Sequence, residues 1–321
     1  MPDSLPQFSD VQAAAVRLRG RVHRTPVMRS ATFDSLCGSQ VWFKCENLQR
    51  AGAFKARGAF NAVFSLTDEQ ARGGIVTHSS GNHGAAVALA ARERGVRADI
   101  VAPRGTAAIK CAAIRRYGAT LHLCEPTLAA REALAASLLR ERGGTLVHPF
   151  DDPLVIAGQG TAALELLEEA GPLDALLAPV SGGGLLSGTA LAAAGYGGAT
   201  EVFGAEPSSV DDAARSLRAG RLISDGNGST IADGLRATLS PRTFALLQRH
   251  VAAIPTVSEE EIIAAMRLAW EVLKLVIEPS CAVPLAVLLA GREPRLRHRR
   301  VGVIITGGNV DLDRLPWASA S

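Results

Sequence analysis

From about Gly73 onward the chain alternates short β-rich runs with longer stretches whose apolar residues recur at helical spacing. Gly74–His78 (GIVTH), Ala98–Ala102 (ADIVA), Thr120–Cys124 (TLHLC) and Thr145–His148 (TLVH) read as strands. His83–Arg94, Thr106–Tyr117 and Thr127–Arg142 read as the helices between them. In a second series Ala175–Val180, Glu201–Ala205 and Val301–Ile305 read as strands, and Thr161–Ala170, Leu185–Ala194 and Glu260–Leu275 as helices. Ser258 followed by Glu261 gives the last helix a capping-box start. Strand–helix alternation of this kind implies parallel sheets covered by helices. Two series predict an α/β protein with two open parallel-sheet domains and a ligand cleft at the strand ends.

Composition narrows the function. The chain has 321 residues, 47% hydrophobic and 20% charged, enough for a well-buried core. Net charge is only +3, and no stretch dense in arginine or lysine is interleaved with aromatics, so nucleic acid is not an expected partner. The most basic run, Arg292–Arg300, reads as a solvated surface loop. The most apolar windows, such as Ala282–Ala290, are too short to span a bilayer. Five cysteines without CxxC spacing suggest neither a disulfide frame nor a zinc site. With no signal-peptide pattern at the N-terminus, the expected location is the cytoplasm. Lysine occurs only at positions 44, 55, 110 and 274, which makes the search for a catalytic amine short. Arginine cannot stand in, because its guanidinium does not deprotonate.

Four segments place small or polar residues directly after a strand, where α/β proteins present free backbone N–H groups to anions. Val180–Leu185 (VSGGGL) leads into a helix, and its glycines let the backbone approach a phosphate. It nearly matches a dinucleotide fingerprint, with Gly182, Gly184 and then Ser187, and Glu206 supplies the acidic residue that reading wants. His78–Gly84 (HSSGNHG) crowds two hydroxyls, an amide and an imidazole into one turn, more than a helix cap needs. Ala51–Ala59 (AGAFKARGA) sets Lys55 among small residues and a phenylalanine, where desolvation lowers an amine's pKa. By contrast Lys44 lies in an alternating strand pattern, and Lys110 and Lys274 fall on helices where exposure is the default. Val301–Leu312 ends a buried strand in Thr306-Gly307-Gly308-Asn309, offering a hydroxyl to a heterocyclic nitrogen.

Each segment alone has an ordinary explanation: a glycine turn, an elaborate cap, a lysine snorkelling from a helix, a strand-to-turn transition. Jointly they supply an amine, a phosphate cradle, a carboxylate loop and a ring-nitrogen partner, which are the parts of a pyridoxal-phosphate site. A dinucleotide-binding module on the VSGGGL turn stays open, though it leaves Lys55 and HSSGNHG unused.

The chain also resembles the serine/threonine dehydratase and serine racemase family of fold-type II pyridoxal-phosphate enzymes. The motifs FKCENLQ with AFKARGA, THSSGNHG, CEP…ARE, VHPFDDP, VIAGQGTAALE, the glycine loop, GAEPSSVDD, IADG, IEPS and TGGNVDL carry the resemblance over nearly the whole chain. It implies a tryptophan synthase β-like fold, with a large cofactor domain at 1–73 and 150–321 and a small mobile domain at 74–149. It implies that Lys55 holds pyridoxal 5′-phosphate as a Schiff base with Phe54 beside the ring. Ser181, Gly182, Gly183 and Gly184 form the phosphate loop, Asn82 meets the ring's 3′-oxygen, and Thr306 faces the ring nitrogen. Ser79, Ser80, Asn82 and His83 cradle the substrate carboxylate, with Arg131 nearby. Ser80 supplies the second acid–base hydroxyl, on the ring face opposite Lys55. Glu206 and Asp212, with the carbonyl of Val210, match a site for a divalent cation, Mg or Mn, and relatives are commonly homodimers.

The implied reaction is dehydration of a small β-hydroxy amino acid of the threonine or serine type. Lys55 removes the α-proton, the β-hydroxyl leaves as water, and the product hydrolyses to a 2-oxo acid and ammonia. Racemisation through Ser80 is the alternative within the family. β-Replacement is disfavoured because His83 stands where those enzymes usually carry threonine. Ala53 and Ala237 replace hydroxyl residues found in relatives, which predicts a more apolar substrate side and a β-substituent larger than serine's hydrogen, such as methyl or aryl. Phe150 occupies a position that is polar in nucleotide-activated racemases, so ATP activation is not expected.

Overall fold

The computed structural model describes residues 5–318 apart from Ser80, Ala107, Gly198, Gly226 and Asn227. Its strands are β1 Val27–Met28, β2 Gln40–Cys45, β3 Ile75–His78, β4 Ala98–Pro103, β5 Thr120–Cys124, β6 Thr145–Leu146, β7 Ala175–Pro179, β8 Glu201–Pro207, β9 Thr256–Val257 and β10 Arg300–Ile305. They form a six-stranded sheet in the order β1-β2-β10-β7-β8-β9 and a four-stranded sheet in the order β5-β4-β3-β6. Every pairing is parallel except β1 with β2. The central strands β3 and β7 are buried at every position, as parallel strands covered on both faces must be.

Most elements lie within a residue or two of the sequence reading, and the differences have physical causes. The helix expected at Thr161–Ala170 begins at Pro153, because Asp152 caps it by accepting from the Leu154 and Val155 amides at 2.7 and 3.3 Å. Its first turns (VIAGQGTAA) are buried on nearly every side and show no amphipathic stripe to read. The helix expected at Glu260–Leu275 is α-helical over Glu259–Leu268, closes in a π-turn at Ala269–Leu273 and stops at Lys274, whose φ is +57°. Lys274 therefore terminates the helix instead of riding on it. The expected capping box is present, with Ser258 and Glu261 exchanging hydrogen bonds at 2.8 and 3.3 Å. The apolar window around Ala282 is a further helix, Pro279–Leu289, enclosed in the core of the larger sheet. Among the described residues no helix is long and apolar enough to cross a membrane.

The helix Lys55–Ser65 joins the two sheets. Ala56, Phe60 and Val63 pack with Ile75 and Ile100 of the smaller sheet, and the Gly58 amide donates to Gln159 of the helix Pro153–Ala170 at 3.1 Å. Its anchor is a buried charge cluster. Arg57, fully enclosed, forks to Glu46 and Glu165 through four hydrogen bonds of 2.7 Å. Lys44, also fully buried, pairs with Glu165 at 2.7 Å and donates to the Thr25 carbonyl at 2.6 Å. Two cations and two carboxylates cancel, so none is left as an uncompensated buried charge. Replacing Arg57 by leucine leaves Glu46 without its cation and should cost about 3–5 kcal/mol of unfolding free energy, read from urea melts of the two proteins.

Candidate active site

The carboxyl ends of β3, β7 and β10 open onto one cavity of about 540 Å³. Its lining includes Phe54, Lys55, His78, Ser79, Asn82, His83, Arg131, Ser181, the Gly182–Gly184 turn, Glu278 and Thr306. All four sequence segments thus meet in one place. A second, more open depression lies at the amino ends of β2, β7 and β10, around Ser39, Asp174 and Arg299, and holds none of the candidate groups.

Lys55 is the first residue of its helix, and the loop before it is tied to the end of β10. Phe54 N donates to the Thr306 carbonyl at 2.9 Å, and Ala53 forms a β-bridge with Gly307. The amine donates to the Pro149 carbonyl at 2.9 Å and lies 5.1 Å from the Phe54 ring centre. Burial lowers its pKa from 10.5 to about 8, with Glu278 pulling weakly the other way. Lys44, by contrast, is a core ion-pair member. Lys110 differs from its sequence reading: it lines the cavity and pairs with Asp233 across it.

The glycine turn is a cradle by necessity. Gly183 has φ +88° and precedes the helix Gly184–Tyr196. A Cβ on Gly182 would stand 2.4 Å from the Phe150 ring, so the backbone passes against that ring only as glycine. The Ser181 hydroxyl exchanges hydrogen bonds with Ala237 at 3.0 and 3.2 Å. Phe150 thus supports the glycine turn.

On the facing side, Asn82 begins the helix Asn82–Arg94. It donates to Glu278 Oε1 at 2.8 Å and accepts from Asn309 at 2.9 Å. His83 Nε2 lies 3.2 Å from the Val147 carbonyl, while Nδ1 is buried without a partner among the described residues. Burial holds His83 well below the usual imidazole range, and the nearby Lys55 charge adds to this. His148 is lowered to about 4, by burial first and then by His78. Its Nδ1 accepts from the Asp151 amide at 2.9 Å, which places its proton on Nε2. Ser79 lines the cavity, and Ser80 lies outside the described residues. The cavity also holds Glu278, which the sequence reading passed over: in IEPS it looks like an ordinary helix-start acid. Burial, then Asp233, pushes its carboxyl up to about 7.

The substrate side carries more charge than the two alanines alone suggest. Ala237 does line the cavity, but Ala53 packs under Gly307, and Lys110, Arg131, Arg236 and three histidines share the wall. Glu206 accepts from the Ala213 and Ala214 amides at 3.1 and 2.8 Å, at the start of the helix Asp212–Ala219. Asp212 Oδ2 is buried with no partner among the described residues. Among the described residues no group of three or more His, Cys, Asp or Glu side chains could hold a metal.

A desolvated amine, a glycine cradle at a helix N-terminus and a hydroxyl at the end of β10 fit pyridoxal 5′-phosphate and define a fold-type II enzyme that uses it. The chain belongs to the pyridoxal-phosphate dependent enzyme family, whose model matches residues 18–307. It is 48% identical over 313 residues to the beta-hydroxyaspartate dehydratase of Paracoccus denitrificans (strain Pd 1222), covering 98% of this chain and 99% of that protein. It is 45% identical over 311 residues to the serine racemase of Dictyostelium discoideum, covering 96% of each. The structure of maize serine racemase superposes with a TM-score of 0.94 at 42% identity, over 97% of this chain and 95% of that one.

Only the unprotonated amine can capture the cofactor. The rate at which cofactor-free protein takes up pyridoxal 5′-phosphate should therefore rise with pH to a midpoint near 8, well below an ordinary lysine. Visible absorbance follows the uptake, and Lys55→Arg should leave no adduct after borohydride reduction.

Proposed function

We propose that this enzyme eliminates water from a 3-hydroxy amino acid carrying a second carboxylate, 3-hydroxyaspartate, and releases a 2-oxo acid and ammonia. One observation carries the choice of substituent: the half-buried Arg131 guanidinium lines the cavity with no hydrogen bond or ion pair to a described side chain. A cation held at a cavity wall without a partner favours an anionic group on the ligand. The Paracoccus relative is named for the same substrate class.

The bound cofactor supplies the electron sink for breaking the bond to the α-hydrogen. Lys55 would hold it, and its free amine, oriented by the Pro149 carbonyl, would take that proton on Nζ. Ser181, Gly182, Gly183 and Gly184 would hold the phosphate, with Phe54 beside the ring. Asn82 would offer an N–H to the cofactor's ring oxygen, and Thr306 a neutral hydroxyl to its ring nitrogen. The loop of Ser79, Ser80, Asn82 and His83 binds the α-carboxylate, leaving Arg131 for the β-carboxylate. His83 and His148, neutral at pH 7, add no competing charge. The segment 74–149 is proposed to move as a small domain over this site, and the active form to be a cytoplasmic homodimer.

Glu206, Asp212 and the Val210 carbonyl are proposed to bind Mg or Mn. Two supports are the unpartnered Asp212 Oδ2 and the burial that raises Glu206 to about 8, since a cation would relieve both. Magnesium or manganese chloride should raise the melting temperature of the native protein, and Asp212→Asn should abolish that rise.

The second reading is a serine racemase with Ser80 as the opposite-face acid, supported by the Dictyostelium and maize relatives. Release of 2-oxo acid should be at least tenfold faster from 3-hydroxyaspartate than from serine or threonine at equal concentration. Arg131→Met should remove that preference while sparing serine turnover. Serine turned over as fast as hydroxyaspartate, with D-serine accumulating on chiral analysis, would favour the racemase.

A further inference from the structure

We infer that Glu278 is a positioning residue for the cofactor: together with Asn309 it clamps the Asn82 amide and fixes which atom Asn82 turns to the cofactor ring. The inference rests on the reading that Asn82 faces that ring.

An asparagine amide has two ends of nearly equal shape and opposite hydrogen-bonding sense, so its orientation is set by its partners. Asn309 Nδ2 donates to Asn82 Oδ1 at 2.9 Å, and Asn82 Nδ2 donates to Glu278 Oε1 at 2.8 Å. A flipped amide would set N–H against N–H at the Asn309 end and, with the carboxyl ionised, oxygen against oxygen at the Glu278 end. With the clamp closed, Nδ2 keeps one further N–H for a ligand in the cavity.

Both jaws are fixed by the backbone. Asn309 Nδ2 also donates to the Ala51 carbonyl at 2.8 Å, four residues before the amine. Glu278 donates its amide to the Gly307 carbonyl at 3.0 Å and is 5% exposed. The clamp thus refers Asn82, on the first helix turn after β3, to the turn after β10 and the lysine loop.

The groups around the carboxyl explain why its oxygen matters more than its charge. Burial, then Asp233, favours the protonated form, while Lys110, Asn82 and Lys55 favour the ionised one, leaving it near its midpoint at neutral pH. In either form Oε1 can accept the Asn82 N–H, so an amide oxygen should replace it.

The test is a spectroscopic titration of the full-length cofactor-free protein with pyridoxal 5′-phosphate, reading both Kd and the position of the visible band. Asn82→Ala and Glu278→Ala should each raise Kd about tenfold or more and shift the band, whereas Glu278→Gln should stay within about threefold of native. The double variant should bind no worse than Asn82→Ala, within about twofold, because the two residues act as one unit. If Glu278→Ala does not fold, Glu278→Met fills a similar volume without the acceptor and carries the same expectation. Multiplying effects in the double variant, or a Gln variant as weak as Ala, would overturn the clamp. Weak binding by Asn82→Ala beside native binding by Glu278→Ala would overturn the clamp alone. Native binding by Asn82→Ala would remove the ring-facing reading of Asn82 as well.

Discussion

The hydrogen bond from the Phe54 amide to the Thr306 carbonyl, 2.9 Å long, ties the two halves of the site together. It fastens the loop that carries the amine to the end of β10, whose turn carries the hydroxyl and Asn309. With the β-bridge between Ala53 and Gly307 it makes the lysine loop an extension of the larger sheet. Lys55 then starts a helix that runs across to the smaller sheet. An amine placed this way inherits the rigidity of both cores, a precondition for proton transfer at a fixed atom.

Desolvation sets the chemistry around that bond. The same enclosure lowers the amine of Lys55, neutralises His83 and His148, and brings Glu278 close to its midpoint. Arg57 and Lys44 show the contrary case, in which enclosure is matched by carboxylates and the charges are kept. Burial therefore leaves a reactive amine where it is unmatched and a structural cation where it is paired. Lys110, Arg131 and Arg236 line the same cavity as the amine, so its wall carries both lysine and arginine cations.

The sequence alone determined the strand–helix alternation, the parallel sheets and the glycine turn, and it marked Lys55 out among four lysines as the candidate amine. These follow from local rules: hydrophobic period, the conformational freedom of Gly183, and the company a lysine keeps over a few residues. The tertiary structure decided what depends on distance between segments far apart in the chain. Lys110 meets Asp233 across the cavity, Glu278 reaches Asn82 over nearly two hundred residues, and Ala53 turns out to pack away from the cavity wall. Nothing local marks Glu278, because its significance lies in a partner that only the fold supplies. Two alanines could not settle the substrate side for the same reason: a wall's polarity is the sum of all the elements that face it, and Lys110, Arg131, His78 and His83 arrive from three separate helices and a strand.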